Sequence, residues 1–342
     1  MELFTDATLQ DVHRVLQQRN ANIQALIDAT AISTWKQIQD DVKHGKGTNY
    51  ALGMELSCGY KHNNTDYVFP WVVADNDRTV KWKDGSLHPG IILLAKYATI
   101  EAVQFDAAED TTVDSSETVA LDGWYYWGKT GSTYTALNLS AGDAIPFGDY
   151  DSIHKCGIND LNVLRYGYNR YRDSAHRQWI NSEMPRGYWW ESTHLGDVAP
   201  SQLSQIDGLL LGFDTDFLKV INPVEVKVAA NTVTDGGATD VMYDKFWLPS
   251  VEEMYGSPQV AGVEGAYLPY MKTIMGVNSP TNDANAGRIT YALENHNSAQ
   301  TVRYRSAYRG NSSYPWYCNT SGQVNNLNSN GALRSRLACA IS

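Results

Sequence analysis

Residues 303–333 read RYRSAYRGNSSYPWYCNTSGQVNNLNSNGAL, and this stretch limits the possible folds more than any other part of the chain. Fifteen of its 31 residues are Asn, Ser or Tyr, against one Val and one Leu before the closing Leu333. Such a segment cannot form an ordinary core, so the apolar burial must come from elsewhere. Trp316, Val324, Leu327 and Leu333 recur at intervals that would pin the stretch down. Between those pins, Tyr offers large contact area at little entropy cost, while Asn and Ser offer adaptable hydrogen bonds. That is the composition of an antibody paratope. The bland alternative is a polar loop without a partner; the interspersed anchors favour a binding surface.

The rest of the chain can supply a core. Hydrophobic residues are 43% of the 342 and charged residues only 19%, which excludes a disordered or charge-solvated chain. The 21 Tyr and 10 Trp outnumber 7 Phe, as suits half-buried recognition faces or a Tyr-rich β-structure. A net charge of −11 without any run of Lys or Arg argues against nucleic acid and against a polybasic membrane contact. No apolar run reaches eighteen residues, so no spanning helix and no membrane insertion are expected. The opening MELFTDATLQD has no basic and apolar leader, which predicts synthesis in the cytoplasm without a signal peptide. Cys58, Cys156, Cys318 and Cys339 are widely spaced and read as reduced, structural thiols.

Residues 1–46 read as a helical segment. Asp6 can cap a run with Leu9, Leu16 and Ile23 at seven-residue intervals, and Trp35, Ile38 and Val42 follow at helical spacing. Such a repeat fits packing on the same chain or pairing between chains, so a homo-oligomer stays open. From residue 47 the pattern turns to β. Tyr67–Ala74 is a strand followed by an Asp75-Asn76-Asp77 turn, and Gly90–Ala95 is a short buried strand. Residues 106–160 form an inserted loop or hairpin region within the 47–342 domain. Helices are expected over 174–180, capped by Asp173, and over 250–255, where Ser250 and Glu253 make a capping box. From residue 260 onward, loops should replace regular elements. Few helices, short strands and long loops together indicate an α+β fold.

Motifs for chemistry are weak. Gly123-Trp-Tyr-Tyr-Trp-Gly128-Lys129-Thr130 satisfies GxxxxGK[ST], but four consecutive aromatics suit an aromatic hairpin better than a phosphate loop. The eight His are scattered without metal-ligand spacing. Asp75 with Asp77, Asp214 with Asp216, and Asn282 with Asp283 fit turns better than calcium loops. No catalytic residue, metal or cofactor is therefore expected.

Tyr166-Gly-Tyr-Asn-Arg-Tyr-Arg-Asp-Ser-Ala-His-Arg-Gln-Trp-Ile-Asn181 resembles the "YGSNxWxxSxIRQWLN" helix of a C-type-lectin-like domain family of gut bacteria and phages. Gly208–Asp214, Phe217–Val224 and Lys245–Met254 resemble further marks of that family, in order. Tyr304–Ala307, Asn311–Ser313 and Ser321–Asn325 are similar to its "RSxxxGNSxxxWxVxxSGxVxxN" close, so the likeness covers roughly residues 50–342. It implies a C-type-lectin-like fold that displays variable side chains, as in phage tropism determinants diversified by retroelements. Adenine-directed mutation of Asn codons yields Asn, Ser or Tyr but never Trp or Gln, which would leave Trp316 and Gln323 fixed. The implied ligand-binding positions are Tyr304, Ser306, Tyr308, Arg309, Asn311, Ser313, Tyr314, Tyr317, Asn319, Asn325, Asn326 and Asn328. The implied partner is a host cell-surface protein or glycan, met by a phage tail or virion-surface protein that also contacts other virion subunits. Departures are clear too. The calcium motifs EPN, QPD and WND of sugar-binding lectins are absent. Cys318 and Cys339 are too far apart for the Cys pair of formylglycine-generating enzymes. A structural virion protein is the rival reading, and an enzyme on the same fold the more distant one.

Overall fold

Trp35, Ile38 and Val42 all turn inward from helix α1, which covers residues 34–43. Trp35 meets Phe217 at a ring-centroid distance of 4.8 Å, so this helix packs on the core of its own chain. The computed structural model describes residues 19, 34–119, 123–255, 260, 262–277 and 284–342. The Leu9, Leu16 and Ile23 repeat lies outside the described residues, as does the Asn282–Asp283 pair.

The next strands are β1 (Glu55–His62), β2 (Thr65–Lys81), β3 (Leu87–Ala95), β4 (Tyr97–Ala98) and β5 (Val103–Gln104). Residues 106–160 hold β6 (Thr111–Thr112), β7 (Tyr125–Thr130), β8 (Thr133–Leu137) and β9 (Ser152–Cys156). Helices α2 (Leu161–Tyr166), α3 (Ala175–Ile180) and α4 (Thr215–Val220) precede β10 (Val224–Ala229), β11 (Thr239–Asp244) and β12 (Phe246–Trp247). After α5 (Val251–Tyr255) and α6 (Pro269–Thr273) come β13 (Thr290–Ala292), β14 (Ala299–Gln300) and β15 (Val302–Ala307). The series ends with β16 (Pro315–Cys318), β17 (Val324–Asn326), β18 (Ala332–Ser335) and β19 (Ala338–Ile341). The fold is mixed α+β, mostly sheet with few helices among the described residues.

Sheet order explains how the polar tail is held. The main sheet runs β1-β2-β3-β19-β12, so the last strand enters beside the buried β3 run, with Ile341 opposite Ile91. On one side of this sheet Phe69, Trp71, Phe213, Phe217 and Phe246 form an aromatic cluster with every ring in contact with another. A second five-stranded sheet runs β17-β16-β15-β18-β5 and carries the tail. The four-stranded sheet β6-β9-β7-β8 has its own apolar cluster of Val113, Val119, Tyr126 and Ile153. The GxxxxGK[ST] residues are the β7–β8 hairpin, turning at Gly131-Ser132. Gly128 has no side chain because the Tyr150 ring lies where a Cβ would stand, 2.4 Å away.

Several expectations need correction. Asp75-Asn76-Asp77 does not end a strand: β2 runs on to Lys81 through two register shifts, and Asp75 accepts from Asp77 N and Arg78 Nε. The α3 cap is Ser174, whose Oγ accepts from Arg177 N, while Asp173 is taken by Arg172. Residues after 260 are not loops alone, since seven strands lie there. The largest departure is β15. It opens the supposedly coreless tail, yet all six of its residues are buried.

Candidate functional site

Arginine, not leucine, holds the tail together. Arg288, Arg303, Arg305 and Arg336 are all buried, and their guanidiniums donate mainly to backbone carbonyls. A buried carbonyl without a donor costs about 1–3 kcal/mol, so a fork of N–H groups can do in a polar segment what apolar packing does elsewhere. Arg303 donates to Leu327 O (3.3 Å), Asn328 O (3.2 Å) and Gly331 O (2.9 Å), with a longer contact to Pro315 O. None of these acceptors is a carboxylate, and burial pushes the Arg303 guanidinium down to about 9. Arg305 is held differently, by Glu253 Oε2 at 2.5 Å and by the carbonyl of Leu248. The expected capping box at α5 is present, with Ser250 N donating to Glu253 and Glu253 N to Ser250 Oγ, each 3.0 Å.

A second clamp rises from the 166–181 segment. Asn169 is fully buried, and its Nδ2 reaches Asn311 O at 2.7 Å and Tyr308 O and Tyr314 O at 3.3 Å. Its Oδ1 accepts from Asn231 Nδ2, and its backbone N donates to Ser312 O. Thr232 adds two bonds to Arg309 O. The 308–314 loop is thus fastened at nearly every carbonyl, from residues more than 70 positions away.

The twelve predicted positions separate by burial. Tyr304, Ser306 and Ser313 are inside and present no side chain to a partner. Ser306 Oγ serves the α5 network, accepting from Val251 N and bonding Glu264. Asn311 and Asn319 are spent on turns: Asn311 Oδ1 accepts from Ser313, and Asn319 Oδ1 accepts from Ser321 and Gln323. Tyr308, Arg309, Tyr314, Tyr317, Asn325, Asn326 and Asn328 remain at least partly exposed. Pairing puts Trp316 opposite Asn326 and Tyr317 opposite Asn325, so these two pairs point to opposite sides of the β16–β17 hairpin. On the first side the Tyr308 ring stands edge-on to Trp316 at 5.9 Å. Of the proposed anchors, Val324 is buried and Trp316 packs against the core, but Leu327 is 39% exposed and belongs to the surface. Sequence reasoning missed the neighbouring 231–237 loop, which meets Arg309 through Thr232 and Gly237 and carries exposed Val233. Its run of Asn, Thr, Asp and Gly was the available signal.

His176 sits beneath this scaffold and offers a pH test. It is fully buried, with Nε2 2.5 Å from Ser335 Oγ and Nδ1 without a partner. Burial first, and Arg303 second, push it from the ordinary 6.5 down to about 3. A depressed histidine keeps its full contribution above the unfolded value and loses it as the pH falls below about 6.5. Relative to His176→Gln, the parent should lose about 2 kcal/mol between pH 7.5 and pH 5, as read by urea unfolding. Parallel curves for the two proteins would contradict the assignment.

Among the described residues no group of three or more His, Cys, Asp or Glu could hold a metal ion. All four cysteines are free and buried. Asp214, one of the turn acids, accepts from Gly59 N at 2.5 Å and so serves the backbone. Fold and surface together define an α+β protein with polar and aromatic side chains on loops clamped from within. Residues 150–342 match a family described as a domain of unknown function, DUF6273. The match spans more than half of the 342 residues, and the chain belongs to this family. No curated protein and no solved structure matches the chain.

Proposed function

We propose that this chain is a ligand-binding protein built on a C-type-lectin-like scaffold, acting at a phage tail or virion surface. Its ligand is a host cell-surface glycan or protein, held around the free β17 edge, on whose two sides these residues stand, by Tyr308, Arg309, Tyr314, Tyr317, Asn325, Asn326, Leu327 and Asn328. One observation carries this reading. The backbone beneath these residues is held by buried Asn169 and Arg303, by Thr232 and by the β15–β16–β17 ladder, rather than by the side chains it displays. A binding surface whose backbone is already ordered loses little entropy on contact, which raises affinity without new contacts. Adenine-directed diversification of the gene would then act on the exposed Tyr and Asn positions and spare Tyr304, Ser306 and Ser313, which are buried.

The test uses the full chain, fluorescently labelled, on a glycan array and on intact bacterial cells. Binding should weaken at least tenfold in Tyr308→Ala/Tyr314→Ala, with an unchanged circular dichroism spectrum. Absence of binding to every surface tried, or binding untouched by the double change, would sink the reading.

A further inference from the structure

The four-stranded sheet holds three side chains in a hydrogen-bonded line. Ser152 Oγ lies 2.7 Å from His154 Nε2, and His154 Nδ1 lies 2.5 Å from Asp110 Oδ1. Ser152 and His154 are two apart on β9, so they share one side of the sheet. Asp110 reaches them from just before β6, whose Thr112 pairs with His154. With the Asp110 carboxylate oxygen as acceptor, Nδ1 is the donor and Nε2 keeps its lone pair for the serine O–H. That is the arrangement which turns a serine hydroxyl into a nucleophile. The imidazole is held on its remaining side by the Tyr134 ring, edge-on at 5.5 Å. Its side chain is 8% exposed, while Ser152 is partly exposed.

Two cations stand near the line. Lys129 pairs directly opposite Ser152 across the β7–β9 ladder. Its ammonium lies 5.3 Å from the centre of the Tyr134 ring, and the Arg165 guanidinium lies 5.5 Å from the same ring. Neither cation forms an ion pair among the described residues. Lys129 thus stands cross-strand from Ser152, and Arg165 meets the same tyrosine ring.

We propose that Ser152, His154 and Asp110 form an esterase centre that selects esters of anionic acids through Lys129 and Arg165. Ser152 Oγ bonds the ester carbonyl carbon as its proton passes to His154 Nε2. The resulting imidazolium is steadied by Asp110, and the developing oxyanion faces the Lys129 ammonium. Collapse breaks the bond to the leaving alcohol, which takes the proton from Nε2. Water, deprotonated by the same nitrogen, then releases the acid and restores Ser152. The centre lies in a different sheet from the display surface and does not depend on it.

The experiment follows hydrolysis of 4-nitrophenyl acetate and of the 4-nitrophenyl monoester of succinic acid, together with labelling by a fluorophosphonate, all on the full chain. One serine, Ser152, should be labelled, and Ser152→Ala should abolish both labelling and turnover. Asp110→Asn should lower kcat by about two orders of magnitude or more, because the imidazole then favours the wrong tautomer. The succinyl ester should be preferred in kcat/KM, and Lys129→Ala should cut that preference at least tenfold. No labelling, or hydrolysis undiminished in Ser152→Ala, would overturn the centre; equal rates on the two esters would overturn the anionic selection.

Discussion

Asn169→Asp is expected to loosen the whole 308–314 loop, although it changes one amide nitrogen to oxygen. The amide donates towards three carbonyls, Tyr308, Asn311 and Tyr314, while Asn231 supplies a donor to its oxygen. A carboxylate would set negative charge against those three carbonyls with no hydrogen to offer. Asp235 already bonds Asn231 at 2.7 Å, which adds to the repulsion. Asn169→Ala should cost about 2–3 kcal/mol by leaving buried acceptors unpaired, and Asn169→Asp more at pH 7. The aspartate variant should regain stability as the pH falls. Its carboxyl is forced above the unfolded value in the folded state, so protonation favours the fold and returns one donor. Urea unfolding at pH 7 and pH 5 reads both effects. An aspartate variant as stable as the parent at pH 7 would remove Asn169 from the clamp.

Arg303→Leu should be comparably severe. The substitution takes the donors from Leu327 O and Gly331 O and weakens the hold on Asn328 O. The charge it removes was itself costly to bury, as the depressed guanidinium shows, so part of the loss is returned. A net cost of about 3 kcal/mol is expected, with faster amide exchange concentrated in residues 327–331. Arg303→Lys should not restore the parent, because a single ammonium cannot span carbonyls on both sides of the loop. Recovery in the lysine variant would show that charge, rather than the planar fork, holds the loop.

The elements legible in the sequence were those stated by local chemistry. Trp35, Ile38 and Val42 declared a buried helical stripe, Gly90–Ala95 a buried strand, and Ser250 with Glu253 a helix start. At α3 the expected cap, Asp173, gives way to the adjacent Ser174, because Arg172 and Arg170 draw the aspartate away. Asp75–Asp77 has turn residues, yet Arg78 neutralises Asp75 and lets the bulged strand continue. The tail was misjudged for a deeper reason. An arginine in sequence reads as surface, because its burial depends on carbonyls supplied by distant segments. Arg303 meets acceptors up to 28 residues on, and Asn169 meets carbonyls more than 130 residues away. The Ser152, His154 and Asp110 line was invisible for the same cause, since 44 residues separate the acid from the imidazole.

On the proposed function, residues above the Asn169 and Arg303 clamps are displayed rather than required for the fold. The most direct measurement is the stability of Tyr308→Ser/Tyr314→Asn/Asn325→Tyr/Asn326→Ser in one protein. Four substitutions at displayed positions should leave the unfolding free energy within about 2 kcal/mol of the parent. A loss of about 4 kcal/mol or more, equal to or beyond that of Asn169→Ala, would show that these side chains build the fold rather than decorate it.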